Sequence, residues 1–310
     1  MTRASRPRTA LVGTGRVARA LSPLLVACGY PVVAIAGRRA TSARAIARSI
    51  RGASATASPE RAAREAELIL LAVPDREIAP LARRLAGAGV PGWRGKTVLH
   101  HAGALGAGIL DPLREAGAEV GVLHPLQALG DPALARHVLP GSRARVEGSR
   151  KGAAVARRLA RDLGLVPLDL GPDAGDDERV AYHAAASVAS NDLVALLGVA
   201  VDLLQAAGLD RHTALCALGP LGRGTLLQAE RAGLAAAITG PVARGDAETV
   251  RRHLRRLERS SPGDARLHRL LSLRLLDLAR REGLAVAPAD RRRLLRVLGG
   301  RGGPRRAPAV

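Results

Sequence analysis

Four polar residues stand four apart in, and just before, a run rich in alanine, valine and leucine. They are Arg179, His183, Ser187 and Asn191, and the run is Tyr182-His-Ala-Ala-Ala-Ser-Val-Ala-Ser-Asn-Asp-Leu-Val194. On a helix this spacing puts all four on one face. Polar groups on a helix built for burial must be paired or must face a cleft. In a cleft, an imidazole that titrates near neutrality can deliver a proton to a carbonyl or imine as its carbon is reduced. His183 is therefore the expected proton donor, with Ser187 and Asn191 beside it and Asn191 orienting the reacting group. Mutual pairing among the four, or capping of a neighbouring loop, is the alternative.

Three more histidines follow apolar runs, in His100-His-Ala-Gly-Ala-Leu105 and Leu123-His-Pro-Leu126. Each alone reads as a structural histidine; together they mark a polar cleft, and His101 and His124 are expected to contact a substrate. The segment Ile238-Thr-Gly-Pro-Val-Ala-Arg-Gly-Asp246 reads as a tight loop, with Asp246 capping the next helix. Thr239 and Arg244 in that loop are candidates for holding a substrate carboxylate. No histidine and acid pattern has metal-ligand spacing, so no metal is expected.

These residues need a scaffold, and its start is legible. Thr9-Ala-Leu-Val-Gly-Thr-Gly-Arg-Val-Ala18 reads as a strand, a Gly13-x-Gly15-x-x-Ala18 turn and a helix. Gly13 permits the tight turn, Gly15 lets backbone approach a pyrophosphate, and Ala18 packs the helix on the sheet. With Thr14, Arg16 and Val17 the turn offers free N–H groups at a positive helix end. A second strand, Pro31–Ala36, ends in Gly37-Arg38-Arg39. A carboxylate there would accept from a ribose 2′-hydroxyl, but no Asp or Glu lies between Gly15 and Ser58. Arg38 and Arg39 stand in its place and suit a 2′-phosphate, so the expected cofactor is NADP rather than NAD. Ala72, Val73 and Pro74, closing the third strand, would pass under the nicotinamide or ribose.

The first half alternates strand-like and helix-like runs, which predicts an α/β fold with a doubly wound, mostly parallel Rossmann sheet. Strands are expected at 9–12, 31–36, 67–72, 97–100, 119–123, 144–147 and 165–170. After the Gly/Pro/Asp-rich segment at 171–178 only helices are expected, near 177–207, 210–218, 224–237, 246–257, 263–281 and 288–298. The expected domains are 1–172 (NADP-binding), 173–298 (helical, for substrate and dimerisation) and 299–310 (a basic tail lacking order).

The chain has 310 residues and a formal charge of +21, with 48 basic residues of which only Lys96 and Lys151 are lysine. With no Phe, one Trp and two Tyr it lacks the stacking platforms of single-strand binders, and it has no zinc-finger spacing. No specific nucleic-acid partner is expected. Cys28 and Cys216 form no disulfide framework, the first residues lack a signal-peptide core, and the run 193–207 is broken by Gly198, Asp202 and Gln205. A cytoplasmic protein with no membrane span and a small-molecule substrate is the expectation.

Several motifs together resemble a known group. They are Val12-Gly-Thr-Gly-Arg-Val-Ala18, Ala72-Val-Pro-Asp75, His101-Ala-Gly-Ala-Leu105, Leu123-His-Pro-Leu126, the Tyr182–Asn191 run and Thr239-Gly-Pro-Val-Ala-Arg-Gly-Asp246. The group comprises bacterial proteins with a Rossmann-like domain and a helical C-terminal domain of unassigned function (the DUF2520 type). It lies in the superfamily of ketopantoate reductases, 6-phosphogluconate dehydrogenases and pyrroline-5-carboxylate reductases. The resemblance implies an NADP-dependent oxidoreductase acting on a small oxo acid or imine, ketopantoate being the most concrete substrate, and a homodimer. It also implies a Lys-x-x-x-Asn pair on the first long helix of the second domain. Here Ser187 holds the lysine position before Asn191, which leaves His183 or Arg179 to supply proton or charge. A non-catalytic NADP-binding sensor or scaffold is the other reading.

Overall fold

The computed structural model describes residues 6–90, 92–171 and 174–299. Among these, eight strands form one sheet: β1 (Thr9–Val12), β2 (Val32–Ala36), β3 (Ser54–Thr56), β4 (Leu68–Leu71), β5 (Thr97–His100), β6 (Glu119–Pro125), β7 (Arg143–Gly148) and β8 (Val166–Leu168). Their order is β3-β2-β1-β4-β5-β6-β7-β8, and every pair is parallel except β6 with β7. The chain runs outward from β1 in one direction and from β4 in the other, so the order reverses between them. In such sheets ligands bind off the strand ends at that reversal.

Alternation along each strand explains the two-sided burial. Leu11, Ile35, Leu70 and Leu99 pack on one face with helices α1 (Arg16–Ala27) and α2 (Ala40–Ala47). Val12, Ala34, Ile69 and Val98 pack on the other with α3 (Pro59–Arg64), α4 (Asp75–Gly87) and α5 (Asp111–Glu115). α6 (Ala135–Val138) and α7 (Arg150–Asp162) return to the first face. The expected strands are present with ends shifted by one or two residues. The exception is β3, which the sequence reading missed. Ser-Ala-Thr at a sheet edge carries no apolar run to signal it.

The chain divides into two compact units, Met1–Asn191 and Asp192–Val310. The boundary expected at 172/173 touches Pro172 and Asp173, outside the described residues, as does the tail beyond Gly299. The first unit ends with α8 (Asp176–Ser187) and a π-helical turn at Val188–Asp192. The second holds α9 (Leu193–Gln205), α10 (Arg211–Ala237), α11 (Gly240–Ala243), α12 (Ala247–Ser260), α13 (Pro262–Arg281) and α14 (Pro288–Leu298). Its core gathers Val242, Val250, Leu254, Leu276, Leu294 and Leu298.

Three expectations change here. Gly219-Pro-Leu-Gly222, read as a break, is helical within α10, and the non-helical residue is Gly233 (φ 83°, ψ 170°). Proline's fixed φ fits a helix, and on an exposed one water can take up the carbonyl it frees. The run from α8 to α9, expected as one regular helix, widens at the π turn. Finally, Asp176–Gln205 is long and apolar enough by length and composition to cross a membrane, with one window of mean hydropathy 1.7. The polar breaks noted in the sequence are too sparse to lower that average.

Leu70 sits fully buried on the strand beside the reversal. Leu70→Ala should cost about 2–5 kcal/mol of stability, read as a lower urea midpoint by fluorescence of the buried Trp93. A change under 1 kcal/mol would contradict this packing.

Candidate active site

Gly13 ends β1 with φ +126°, and a Cβ there would lie 2.0 Å from the Ala72 carbonyl oxygen. The turn thus presses against the end of β4 and admits only glycine. Gly15 caps α1 with extended backbone, no side chain caps the helix, and its first turn holds no acid. A Cβ built on Gly15 meets nothing within 4 Å. Open space over unpartnered helix N–H groups is the cradle a pyrophosphate requires. Thr14 crowds Gly37 at the end of β2, where a Cβ would come 2.6 Å from the Thr14 methyl. The next residues, Arg38 and Arg39, are exposed and have no ion pair among the described residues. These features fit a dinucleotide carrying a 2′-phosphate. Arg16 is exposed and Val17 half-buried, both in the first turn of α1; Ala72, Val73 and Pro74 lead from β4 into α4.

The next two strand ends carry the histidines. Val12, Leu71, His100 and Val122 lie side by side across β1, β4, β5 and β6. His100 is fully buried; its Nδ1 accepts the Ala102 N–H at 3.2 Å and its Nε2–H donates to the Gly106 carbonyl at 3.2 Å. His101 is also buried and donates from Nδ1 to the Leu123 carbonyl, leaving Nε2 bare and without a partner. Expected at a substrate surface, His101 instead sits inside the wall, because its ring turns back under β6. His124 is only half-buried. Its Nδ1 lies 2.9 Å from the Tyr182 hydroxyl, with the rings edge to face at 5.6 Å.

α8 is anchored to the sheet by charge. Arg179 donates from Nε and Nη2 to the two oxygens of Glu147, each at 3.0 Å, and from Nη1 to Asp176 at 2.8 Å. Arg145, 1 % exposed, donates to the same Glu147 and to the Ala102 and Leu105 carbonyls. The Ala107 N–H gives Glu147 another bond at 3.0 Å. Burial would raise the Glu147 pKa, but the bonds from Arg179 and Ala107 and the charge of Arg145 hold it below the usual carboxylate value. Arg179 is therefore committed to fixing α8 and is not available as a proton or charge source. One turn on, Tyr182 is the buried residue of α8.

The polar row of α8 divides by role. His183 is exposed, and its ring lies 6.2 Å from that of His124. A Cβ on Gly103 would come 2.5 Å from His183 Nδ1 and 2.9 Å from His124 Nε2. The two imidazoles thus pack against Gly103, where any side chain would clash with both. Ser187 and Asn191 turn to each other, with Asn191 Nδ2 donating to Ser187 Oγ at 3.3 Å. The helix expected to be buried is mostly exposed, Val180 by 57 % and Val188 by 62 %, so burial does not force its polar residues inward. Thr239 and Arg244 belong to the second unit, both exposed and flanking α11. Among the described residues no cluster of three or more His, Cys, Asp or Glu could hold a metal ion.

The sequence reading passed over Gly103, Arg145, Glu147 and Tyr182. Arg145 and Glu147 did carry a signal: opposite charges two apart in an apolar strand share one face. Gly103 carried none, since only the tertiary approach of two rings gives it meaning.

Burial first holds His100 and His101 down to about 4. Burial, then the charge of Arg145 and the neighbouring histidines, lowers His124 to about 3. Free histidine titrates near 6.5, so below that pH the unfolded chain takes up protons that the folded one refuses. Stability should fall as pH drops from about 6.5 towards 4, by about 2 kcal/mol for each of the three at pH 5. Glu147, with its lowered value, adds a loss as pH falls further through its folded pKa. Denaturant midpoints at pH 7 and pH 5 test this, and equal midpoints would contradict it.

Comparisons with known proteins agree with this architecture. Residues 1–125 match a Rossmann-like domain, and residues 143–275 match a domain of unknown function, DUF2520. No curated protein matches the chain by sequence. Among solved structures, a Bacteroides fragilis protein assigned as an NADP oxidoreductase is similar at 22 % identity and a TM-score of 0.70, covering 88 % of this chain and 99 % of that one. A reductive aminase from Aspergillus terreus, in complex with NADPH and ethyl levulinate, shares 18 % identity at 0.62, covering 92 % and 98 %. A pyrroline-5-carboxylate reductase from Coxiella burnetii shares 16 % at 0.57, covering 91 % and 99 %. At these identities the likeness is one of fold. The DUF2520 match begins at Arg143, the start of β7, so it spans the last two strands of the sheet as well as the helices up to α13. The chain is a Rossmann-like protein with a DUF2520 domain.

Proposed function

We propose that the protein is an NADP-dependent reductase of a small carbonyl or imine compound, with ketopantoate and related oxo acids as its first candidate substrates. The observation that carries this reading is the common edge of the sheet. An anion cradle at Gly13–Val17 follows β1, and at the same edge His124, near the end of β6, meets His183 of α8. His101 and His124 stand two and three strands from the turn, about 10 and 14 Å at ordinary strand spacing. The similarity to structures of NADP-linked reductases supports the same reading.

On this reading the amides of Gly13 to Val17 hold the pyrophosphate, Arg38 and Arg39 hold the 2′-phosphate, and Ala72 to Pro74 line the nicotinamide side. Bound there, NADPH supplies a hydride. His183 gives a proton to the substrate oxygen or nitrogen as the new C–H bond forms and the π electrons of the double bond move onto that atom. Its exposure lets water restore the proton. Asn191, with Ser187, orients the polar end of a ligand. A sensor that binds NADP without turnover is the second reading, favoured by Ser187 standing where the related reductases carry lysine. The working surroundings are a reducing cytoplasm, in keeping with free Cys28 and Cys216.

The partner we propose is a second copy rather than nucleic acid or lipid. α10 leaves Leu221 66 % and Leu226 56 % exposed, and a groove of about 660 Å³ runs between α9 and helices α12 and α13, lined by Leu196, Leu203, Leu257 and Leu271. An apolar surface of this extent on a protein with Asp202 within α9 is better covered by protein than by hydrocarbon.

Two measurements check these statements. Purified protein should oxidise NADPH with an oxo acid or imine, and Arg38→Ala with Arg39→Ala should weaken NADPH at least ~10-fold more than NADH. Equal effects on both would sink the cofactor assignment, and His183→Ala should lower kcat about 100-fold while NADPH still binds. Sedimentation should show a dimer that Leu226→Arg converts to monomer; a monomeric wild type would refute the self-association.

A further inference from the structure

We propose that the hollow where α12, α13 and α14 meet is a second anion site, built for a small phosphate-bearing ligand of the di- or triphosphate kind. It lies wholly within the second unit and does not depend on the reductase reading.

A cavity of about 340 Å³ opens there, in the lower part of the ~300–1,000 Å³ range of small-molecule sites. Four guanidinium groups line it, Arg251 and Arg255 from α12, Arg269 from α13 and Arg296 from α14, against one carboxylate, Glu258. Its floor is Leu254, 4 % exposed, which belongs to the core that joins α12 to Leu276 of α13 and to Leu294 and Leu298 of α14. The core therefore sets where the four arginines are rooted, and a ligand need not bring the helices together.

The charges in this hollow do not balance. Arg251 and Arg255 stand one turn apart on α12, a spacing at which like charges repel. Arg251 is answered by Glu248, and Arg269 by Glu258 at 2.9 Å. Arg255 and Arg296 have no ion pair among the described residues. The other acids of α13 and α14 are engaged elsewhere: Asp277 with Arg274, Arg280 and Arg281, and Asp290 with Arg293, while Asp264 lines the groove beside α9. Arg296 also stands in the last turn of α14, where a cation complements the helix dipole. Arg255, in the middle of α12, gains nothing from a helix end.

An anion that takes up this surplus must meet guanidinium groups arriving from three helices. Each is a planar fork that matches a pair of phosphate oxygens, so a group with several charged oxygens suits the arrangement better than a single carboxylate. Arg269 is half-buried, and its Nε has already lost its water without gaining a partner. A nucleic-acid strand calls for cations in a row along a groove, with aromatic platforms between them. Here the cations close round one hollow, and no aromatic residue lines it.

Titration calorimetry of the full chain with inorganic tripolyphosphate, at physiological ionic strength, tests the site. Wild type should bind, and Arg255→Gln with Arg296→Gln should weaken binding at least ~10-fold. Both side chains are exposed, so the fold does not depend on them. Arg259→Gln with Arg292→Gln removes the same charge from exposed positions on the same two helices, outside the cavity, and should change affinity less than about 2-fold. Equal losses in the two chains would reduce the effect to general attraction by a chain of charge +21 and overturn the proposal. Glu258→Gln removes the one carboxylate and releases Arg269, so it should tighten binding about 3-fold; unchanged or weaker binding counts against the site. A wild type that binds no tripolyphosphate overturns it, as does full affinity in the Arg255→Gln, Arg296→Gln chain, which would put the anion elsewhere. A single-stranded oligonucleotide that loses as much affinity as tripolyphosphate in that chain would make the hollow part of a polyanion surface and overturn the small-ligand assignment.

Discussion

Glu147 receives two N–H bonds from Arg179, one from Arg145 and one from the main chain of Ala107, and so joins three stretches of chain far apart in sequence. β7 supplies the carboxylate, the loop after β5 supplies the amide, and α8 supplies the second guanidinium. A carboxylate this enclosed is tolerable only because every neighbour donates to it. The orientation of α8 follows, since a paired, two-toothed guanidinium fixes both distance and angle. Tyr182 comes one turn after Arg179 and reaches His124, and His183, next in the chain, packs against Gly103. The histidine pair is a consequence of an ion pair that touches neither ring.

The same pairing explains how a chain of charge +21 can hold a neutral site. Arg145 and Arg179 face Glu147 and Asp176, so two guanidinium groups meet two carboxylates. The histidines behind them are kept uncharged by burial. At the other end of the strand row, Arg38 and Arg39 stand exposed beside the glycine turn with no acid before Glu60 to quench them. Positive charge therefore stands without an ion pair, among the described residues, where a phosphate would bind, and is paired with carboxylates beside the histidines. Anion binding and polarisation of a neutral group make opposite electrostatic demands, and the sheet meets them by spacing the two along its edge.

What could be read in the sequence divides along the range of the interactions. The glycine turn, the strand alternation and the absence of an acid after β2 are local patterns, and the sheet and the phosphate end of the site followed from them. β3 escaped because an edge strand of Ser-Ala-Thr buries too little to show a period. The row Arg179, His183, Ser187 and Asn191 was legible as one face of a helix, but its division of labour was not. Ser187 and Asn191 meet four residues apart, but the tie of Arg179 to Glu147 and the approach of His183 to His124 depend on side chains 32 and 59 residues away. Gly103 is the extreme case, because its meaning lies in two rings brought together from different elements.

The absence of a lysine before Asn191 takes a different weight in this light. A lysine there would both place a charge near the reacting atom and supply a proton, two tasks on one side chain. Here Ser187 is bonded to Asn191 and can do neither. On the proposed reading the proton comes from His183, whose ring is exposed to water, beside a His124 ring that burial keeps neutral. The departure from the lysine pattern is thus compatible with turnover by a different division of the same work.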